Sequence, residues 1–273
     1  MSLAFLRFAI ALLFLSPFLL IEKKIQLHKS DLPKLFAVGV FMVSFNIAFF
    51  YTGLQRTTVT SASVLTMLIP ILSVIGAWLF LKEKVYVVNV VGIITGLLGA
   101  LLIFGIPLAL LGVKISSQEA LGNFLIVLAS ISWVIGAILS KQVAEKYSTL
   151  IITATAFLVG MITFSIPALL EYLQNPIWIS QITYLGILGL FFIAIASSVC
   201  AYFLFEWGLS SLGVIKADLF QYIEPIIAVT IGVIILGEGL RFSFIIGAIL
   251  VGLGVYLGTL AKQYHKHHKM HRT

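Results

Sequence analysis

Apolar runs of about 20 residues alternate with short polar joints along almost the whole chain. A run of that size, rising about 1.5 Å per residue, crosses the hydrocarbon layer of a membrane as a helix. Nine spans are predicted, at 3–21, 35–54, 58–81, 87–104, 120–140, 148–170, 182–207, 213–236 and 242–260. The joints are too short to form a soluble domain. The first span ends in "IEKK" rather than at a small-residue cleavage site, so it reads as a retained helix and not as a signal peptide.

The same pattern repeats internally. When the chain is slid by 155 residues without a gap, Gly53-Leu54 falls on Gly208-Leu209, Pro70-Ile71 on Pro225-Ile226 and Glu83 on Glu238. Gly92 falls on Gly247 and Gly99 on Gly254, and with a small shift Pro17 pairs with Pro167. Chance identity between lipid-soluble stretches would be mostly Leu, Ile and Val, so matched Gly, Pro and Glu carry information. Spans one to four therefore repeat as spans six to nine, and span five has no partner. The design is five plus five with the first helix missing. An odd number of spans per unit inverts the second unit relative to the first, as in many secondary transporters.

Composition agrees: 61% of the residues are hydrophobic and 10% charged, and mean hydropathy is +1.15, far from soluble domains. The chain is read as an all-α integral membrane protein. Its single cysteine, Cys200, rules out an intramolecular disulfide and is expected to pack inside an apolar run. The net charge of +7 does not mark a nucleic-acid binder, because the basic residues fall between spans and at the C-terminus rather than in one patch. Topology accounts for them. Lys23, Lys24, Lys29, Lys34, Lys82, Lys84, Lys141, Lys146, Lys262, Lys266, Lys269 and Arg272 fall on one side, against Arg7, Arg56, Lys114 and Arg241 on the other. Cytoplasmic loops are rich in Lys and Arg, so the C-terminus is placed inside and, with nine crossings, the N-terminus outside. A first helix ahead of residue 1 would bring the start of the chain inside as well.

These residues resemble a known family. "RFAIALLFLSPFLL", "LIPILSVIGAWLFLKEKV", "YIEPIIAVTIGVIILGEGL" and the glycine-bearing spans after the last two are similar to EamA-type members of the drug/metabolite transporter superfamily, over essentially the whole chain. The resemblance implies ten helices in two inverted repeats, with a substrate cavity between them. It also implies alternating-access movement of small metabolites, commonly outward. On this reading 1–104 is the first repeat without its first helix, 105–119 a connecting loop, 120–260 the second repeat and 261–273 a basic, His-rich cytoplasmic tail. In the family the missing helix helps line the cavity.

Glu224 and Pro225 lie about eleven residues from either end of span eight, near the bilayer midplane. A charge there costs roughly 2.5–3.5 kcal/mol on insertion scales, so it faces protein or water. Pro225 withholds an amide from the carbonyl of Gln221, and Pro70 does the same to Thr66 in span three. Pro70 and Pro225 are expected to act as hinges. Glu224, Gln221 and Thr66 would form a polar lining at the depth where transporters hold substrate. Asn46, Trp133 and Tyr202 are added as substrate-binding candidates, Trp133 by stacking on a flat or cationic solute. Ser130 and Ser132 lie at similar depth, although such groups alone commonly only join helices. Burial favours the protonated form of Glu224 and an arriving amine the ionised form, which would couple transport to protons.

Glu206, Lys216 and Asp218 beside the turn "GLSSLG" are read as an interfacial cluster, and Glu83 and Glu238 as anchors of helix ends. The histidines of "HKHHKMHRT" are read as a solvated basic end attracted to anionic lipid rather than as a metal site. No phosphate-binding Gly-x-x-x-x-Gly-Lys-Ser/Thr loop is present, nor a His-Glu-x-x-His or Gly-x-Ser-x-Gly motif, so neither ATP hydrolysis nor an intramembrane enzyme is expected. The expectation is a multi-pass exporter of amino-acid-like or related solutes in the cell membrane, with lipid and a small-molecule substrate as partners. No cofactor or metal is called for, and a homo-oligomer is left open. The alternative is a non-transporting or truncated relative.

Overall fold

The computed structural model describes residues 1–22, 27–81, 86–104, 116–212, 223–239 and 242–270, and every regular element among them is helical. Six helices are long and apolar enough to cross a membrane: Ser2–Ile21, Leu32–Leu54, Val59–Phe80, Ser117–Val143, Thr149–Gln174 and Tyr184–Ser211. Val87–Ile103 and Phe242–Leu257 are shorter apolar helices. Leu13, Leu20, Leu204 and Phe242 are among many large apolar side chains left exposed, as lipid-facing surface requires. Cys200 is exposed too, so it does not pack inside as its apolar setting suggested.

Two of the long helices contain a widened, π-type segment. The helix from Leu32 consists of α2 (Leu32–Gly39), π1 (Val40–Phe45) and α3 (Asn46–Leu54). The helix from Tyr184 consists of α10 (Tyr184–Phe192), π2 (Ile193–Cys200) and α11 (Ala201–Leu212). In each a serine hydroxyl donates to the carbonyl five residues back, Ser44 to Gly39 at 3.5 Å and Ser198 to Ile193 at 2.9 Å. Such bulges occur frequently at functional sites. Helix starts are set by hydroxyl caps. Thr58, Ser148 and Thr183 each accept from the amide three residues on, opening α4 (Val59–Thr66), α8 (Thr149–Gln174) and α10.

The third span is broken. α4 ends at Thr66 and α5 (Ile69–Leu81) begins at Ile69, with the amides of Met67 and Leu68 bonded to carbonyls only three residues back. Pro70 is the physical cause, since its ring excludes the preceding carbonyl turn and it has no amide to offer Thr66. Proline does not break every helix that holds it: Pro17 lies inside α1 (Ser2–Ile21) and Pro167 inside α8.

The chain folds as two compact units, each assembled from both halves of the sequence. The first comprises Met1–Ala48 and Ile135–Val214, the second Phe49–Val134 and Ile215–Thr273. In the first, α1 packs on α8 and on π2, with the Phe8 ring tilted on Phe157 at 5.3 Å and stacked against Phe164 at 6.2 Å. In the second, α6 (Val87–Phe104) packs along α13 (Phe242–Met270), and α4 packs on α12 (Ile223–Ile234). Ala62, Leu65, Leu68, Ile71, Ile126 and Val251 are buried together there. The α6–α13 contact is backbone on backbone. A methyl group at Gly99 would stand 2.6 Å from the carbonyl oxygen of Gly247, and one at Gly254 would stand 2.6 Å from that of Gly92. Only glycine permits this approach.

Candidate functional site

In the second unit α4, which ends just ahead of Pro70, packs on α12, which carries Pro225. A Cβ on Gly232 of α12 would lie 2.7 Å from Thr60 Cγ2 of α4, which sets the start of α4 against the end of α12. Following the two helices away from this contact at about 1.5 Å per residue brings Pro225 level with Met67, about 4.5 Å along the axis from Pro70. Glu224 and Pro225 lie in the first described turn of α12. Pro70 is buried. Thr66 is half-buried, and its hydroxyl donates to the carbonyl of Ser63 at 2.7 Å. The side chains of Glu224 and Pro225, and all of Gln221, lie outside the described residues, as do Glu83, Lys216, Asp218 and His271.

Trp133 belongs to the second unit, on α7 (Ser117–Val143), half-buried with its indole nitrogen enclosed. Asn46 and Tyr202 belong to the first unit. Asn46 is half-buried at the junction of π1 and α3, and Tyr202 is buried with its ring edge on Phe157 at 5.3 Å. Ser130 donates to the carbonyl of Ile126 in its own helix, which suffices to explain it as packing.

The first unit holds polar contacts that sequence reasoning passed over. Arg7 is only 6% exposed in the second turn of α1; its Nε donates to Ser198 Oγ at 2.5 Å and its Nη2 to the carbonyl of Ser197 at 3.4 Å. Its guanidinium also lies 5.3 Å from the centre of the Phe8 ring. Ser44 of π1 is bonded to Thr163 of α8 at 2.7 Å. Both π segments are thus stitched to a neighbouring helix through a serine. An arginine early in an apolar span was the available signal, but it was counted only as a topological charge. Glu206, read as interfacial, is instead buried at 2% exposure and accepts from Ser140 Oγ at 2.6 Å.

Two further carboxylates lie outside the spans. Glu238 follows Gly237, whose φ of +66° suits glycine, and it accepts from the amides of Val59 and Thr60 at 2.8 and 3.0 Å. It caps α4, the helix-end anchor its position suggested. Burial pushes the Glu238 carboxyl up, but these amides and the Thr60 hydroxyl together hold it below its ordinary range. Asp31 is held low as well, by Lys146 Nζ at 3.1 Å from both of its oxygens and by the Tyr147 hydroxyl at 3.0 Å.

A chain with six helices long and apolar enough to cross a membrane falls in the class of polytopic membrane proteins. Residues 1–105 and 120–260 match the EamA-like transporter family, and the chain belongs to that family. It is similar to an "Uncharacterized transporter" of Clostridium kluyveri, 27% identical over 85% of this chain and 73% of the relative. It is also similar to one of Archaeoglobus fulgidus, 29% identical over 94% of this chain and 87% of the relative. A solved crystal structure shares the fold with a TM-score of 0.63 at 17% identity, covering 96% of this chain and 88% of that one.

Proposed function

We propose that this member of the family is a secondary transporter that exports small organic metabolites, amino-acid-like or related solutes, across the cell membrane by alternating access. The observation that carries the reading is that α12, with Glu224 and Pro225 in its first described turn, packs on α4, the helix that breaks ahead of Pro70. A substrate there finds freed backbone carbonyls and a carboxylate in place of water. Asn46, Thr66, Trp133, Tyr202 and Gln221, the last one turn from Glu224, are the further proposed substrate-binding residues, and Pro70 and Pro225 serve as hinges. Glu224 exchanges a proton for a cationic group of the solute.

The transport reading includes nine crossings, a cytoplasmic C-terminus and two inverted repeats, of which 3–104 and 148–260 are the matching parts. Two facts support the repeat. Adding 155 to 92 and 99 gives 247 and 254, so the contact of Gly99 on Gly247 and that of Gly254 on Gly92 exchange with one another. The same shift carries 40–45 to 195–200, placing π1 within π2.

Export is tested by comparing the small organic solutes in the medium of cells with and without the chain. Accumulation of at least one solute outside is expected. Indistinguishable media at confirmed expression would overturn the reading.

A further inference from the structure

Glu206 takes no part in the site proposed above, yet it is a carboxyl enclosed within a membrane helix. It lies on α11 with Phe203, Leu204 and Trp207 exposed around the same turn, so its helix faces lipid while the carboxyl points inward. Its partner Ser140 on α7 is fully buried. One turn away on each helix stand Ala137 and Leu209, both buried, packed with Phe205. An ionised carboxylate in such surroundings must be paired or lose its charge.

Among the described residues no cation pairs with Glu206. The ion pairs among the described residues are those of the N-terminal amine with Glu171 and of Lys146 with Asp31. The elements packed against α11 are π2, α8 and, through Ser140, α7. π2 offers Cys200 and, from α1 behind it, Arg7, whose guanidinium is bonded to Ser197 and Ser198. α8 offers Glu171, occupied by the N-terminus and Ser2. α7 offers Lys141, turned about 100° round the helix from Ser140, and Glu119, about 30 Å along it. On α11 itself Tyr202 lies one turn away with its ring on Phe157. A metal cation would need several more oxygen ligands than one carboxyl and one hydroxyl supply, and the neighbouring side chains are apolar.

We propose that Glu206 with Ser140 is a membrane-buried proton-binding site, separate from Glu224, which holds its proton in the conformation seen here. Release breaks the carboxyl O–H bond, leaves the electron pair on the carboxylate and passes the proton to water once the pair is hydrated. That this happens within the transport cycle rests on the transporter reading. The occupancy of the site does not.

Infrared spectroscopy of the full chain reconstituted in lipid tests the site without a substrate. Wild type at neutral pH should show the carbonyl stretch of a protonated carboxylic acid. Glu206→Gln should lose the component that Glu206 contributes, leaving any from Glu224, and Ser140→Ala should shift that component to higher frequency as the hydrogen bond is lost. Glutamine matches the neutral acid in shape, so that variant should fold, which its unchanged thermal unfolding would establish. A wild-type spectrum in this region identical to that of folded Glu206→Gln from acid to alkaline pH overturns the proposal, whether or not the protein transports anything. A band that vanishes in Glu206→Gln upholds the site even if no solute is exported, in which case the transporter reading alone falls.

Discussion

The most prominent helix contacts of the two units differ in kind, although the first unit also sets Gly136 against the backbone of Met42 and the second also bonds Thr57 to Asn123. In the second unit α6 and α13 touch backbone to backbone through glycines. In the first, helices are joined by polar side chains inside an aromatic core: Arg7 to Ser198, Thr163 to Ser44 and Glu206 to Ser140. Lipid tails are as apolar as leucine, so helices in a membrane gain little from hydrophobic burial and depend on close packing or hydrogen bonds. A glycine contact has one geometry and fails if any atom is added. A hydroxyl contact can exchange partners, and around π segments it sits where helix register is already irregular. The comparison assigns the α6–α13 pair to rigid scaffold and the polar contacts of the first unit to places that can rearrange.

Breaking the scaffold should have the largest effect. Gly99→Leu drives a side chain into the Gly247 carbonyl, and a loss of about 3 kcal/mol or more is expected, at the upper end for overpacking. Thermal unfolding and the yield of monodisperse protein in detergent measure it; near wild-type stability would mean that the contact does not confine the helices.

Removing the cap of α4 should be milder. Glu238→Ala is expected to cost about 1 kcal/mol, the usual worth of an N-cap. Because the folded-state carboxyl of Glu238 is held below its ordinary 4.5, its contribution is complete above that pH and is lost as pH falls through the lower folded value. The stability gap between wild type and Glu238→Ala should therefore be constant near neutrality and shrink in acid. A gap that widens as pH falls would contradict the assignment.

The smallest effect is expected in the first unit. Thr163→Ala removes one hydroxyl from Ser44 and should cost about 0.6 kcal/mol, the average for interhelical hydrogen bonds in membranes. A loss as large as that of Gly99→Leu would erase the distinction between the units.

Most of the helical layout was legible because lipid imposes a single rule, apolar runs of fixed length: the helices of the first seven predicted spans begin and end within about five residues of them, whereas α13 runs on to Met270, past the predicted end of span nine. The glycines of the 155-residue shift were legible because nothing else explains Gly in matched positions. Pro70 declared the break in span three, since a missing amide has a local consequence wherever it occurs. The π segments were not legible. They arise where Ser44 and Ser198 bond five residues back, and serine in an apolar helix gives no sign of which carbonyl it will choose. Arg7 and Glu206 were visible as charges, but whether a charge near a span end snorkels or turns inward depends on the neighbouring helix. Ser197 and Ser198 decide it for Arg7, and Ser140 for Glu206.

The most direct test of the transport account lies at Glu224, where one substitution separates chemistry from packing. Glutamine keeps the size and hydrogen bonding of the residue and removes its titration. Uptake of an exported solute into vesicles containing wild type or Glu224→Gln, measured across a range of pH at matched expression, should show a pH-dependent rate for wild type and a flat one for the variant. Equal transport by both proteins at every pH would contradict the account and leave Glu224 as helix packing.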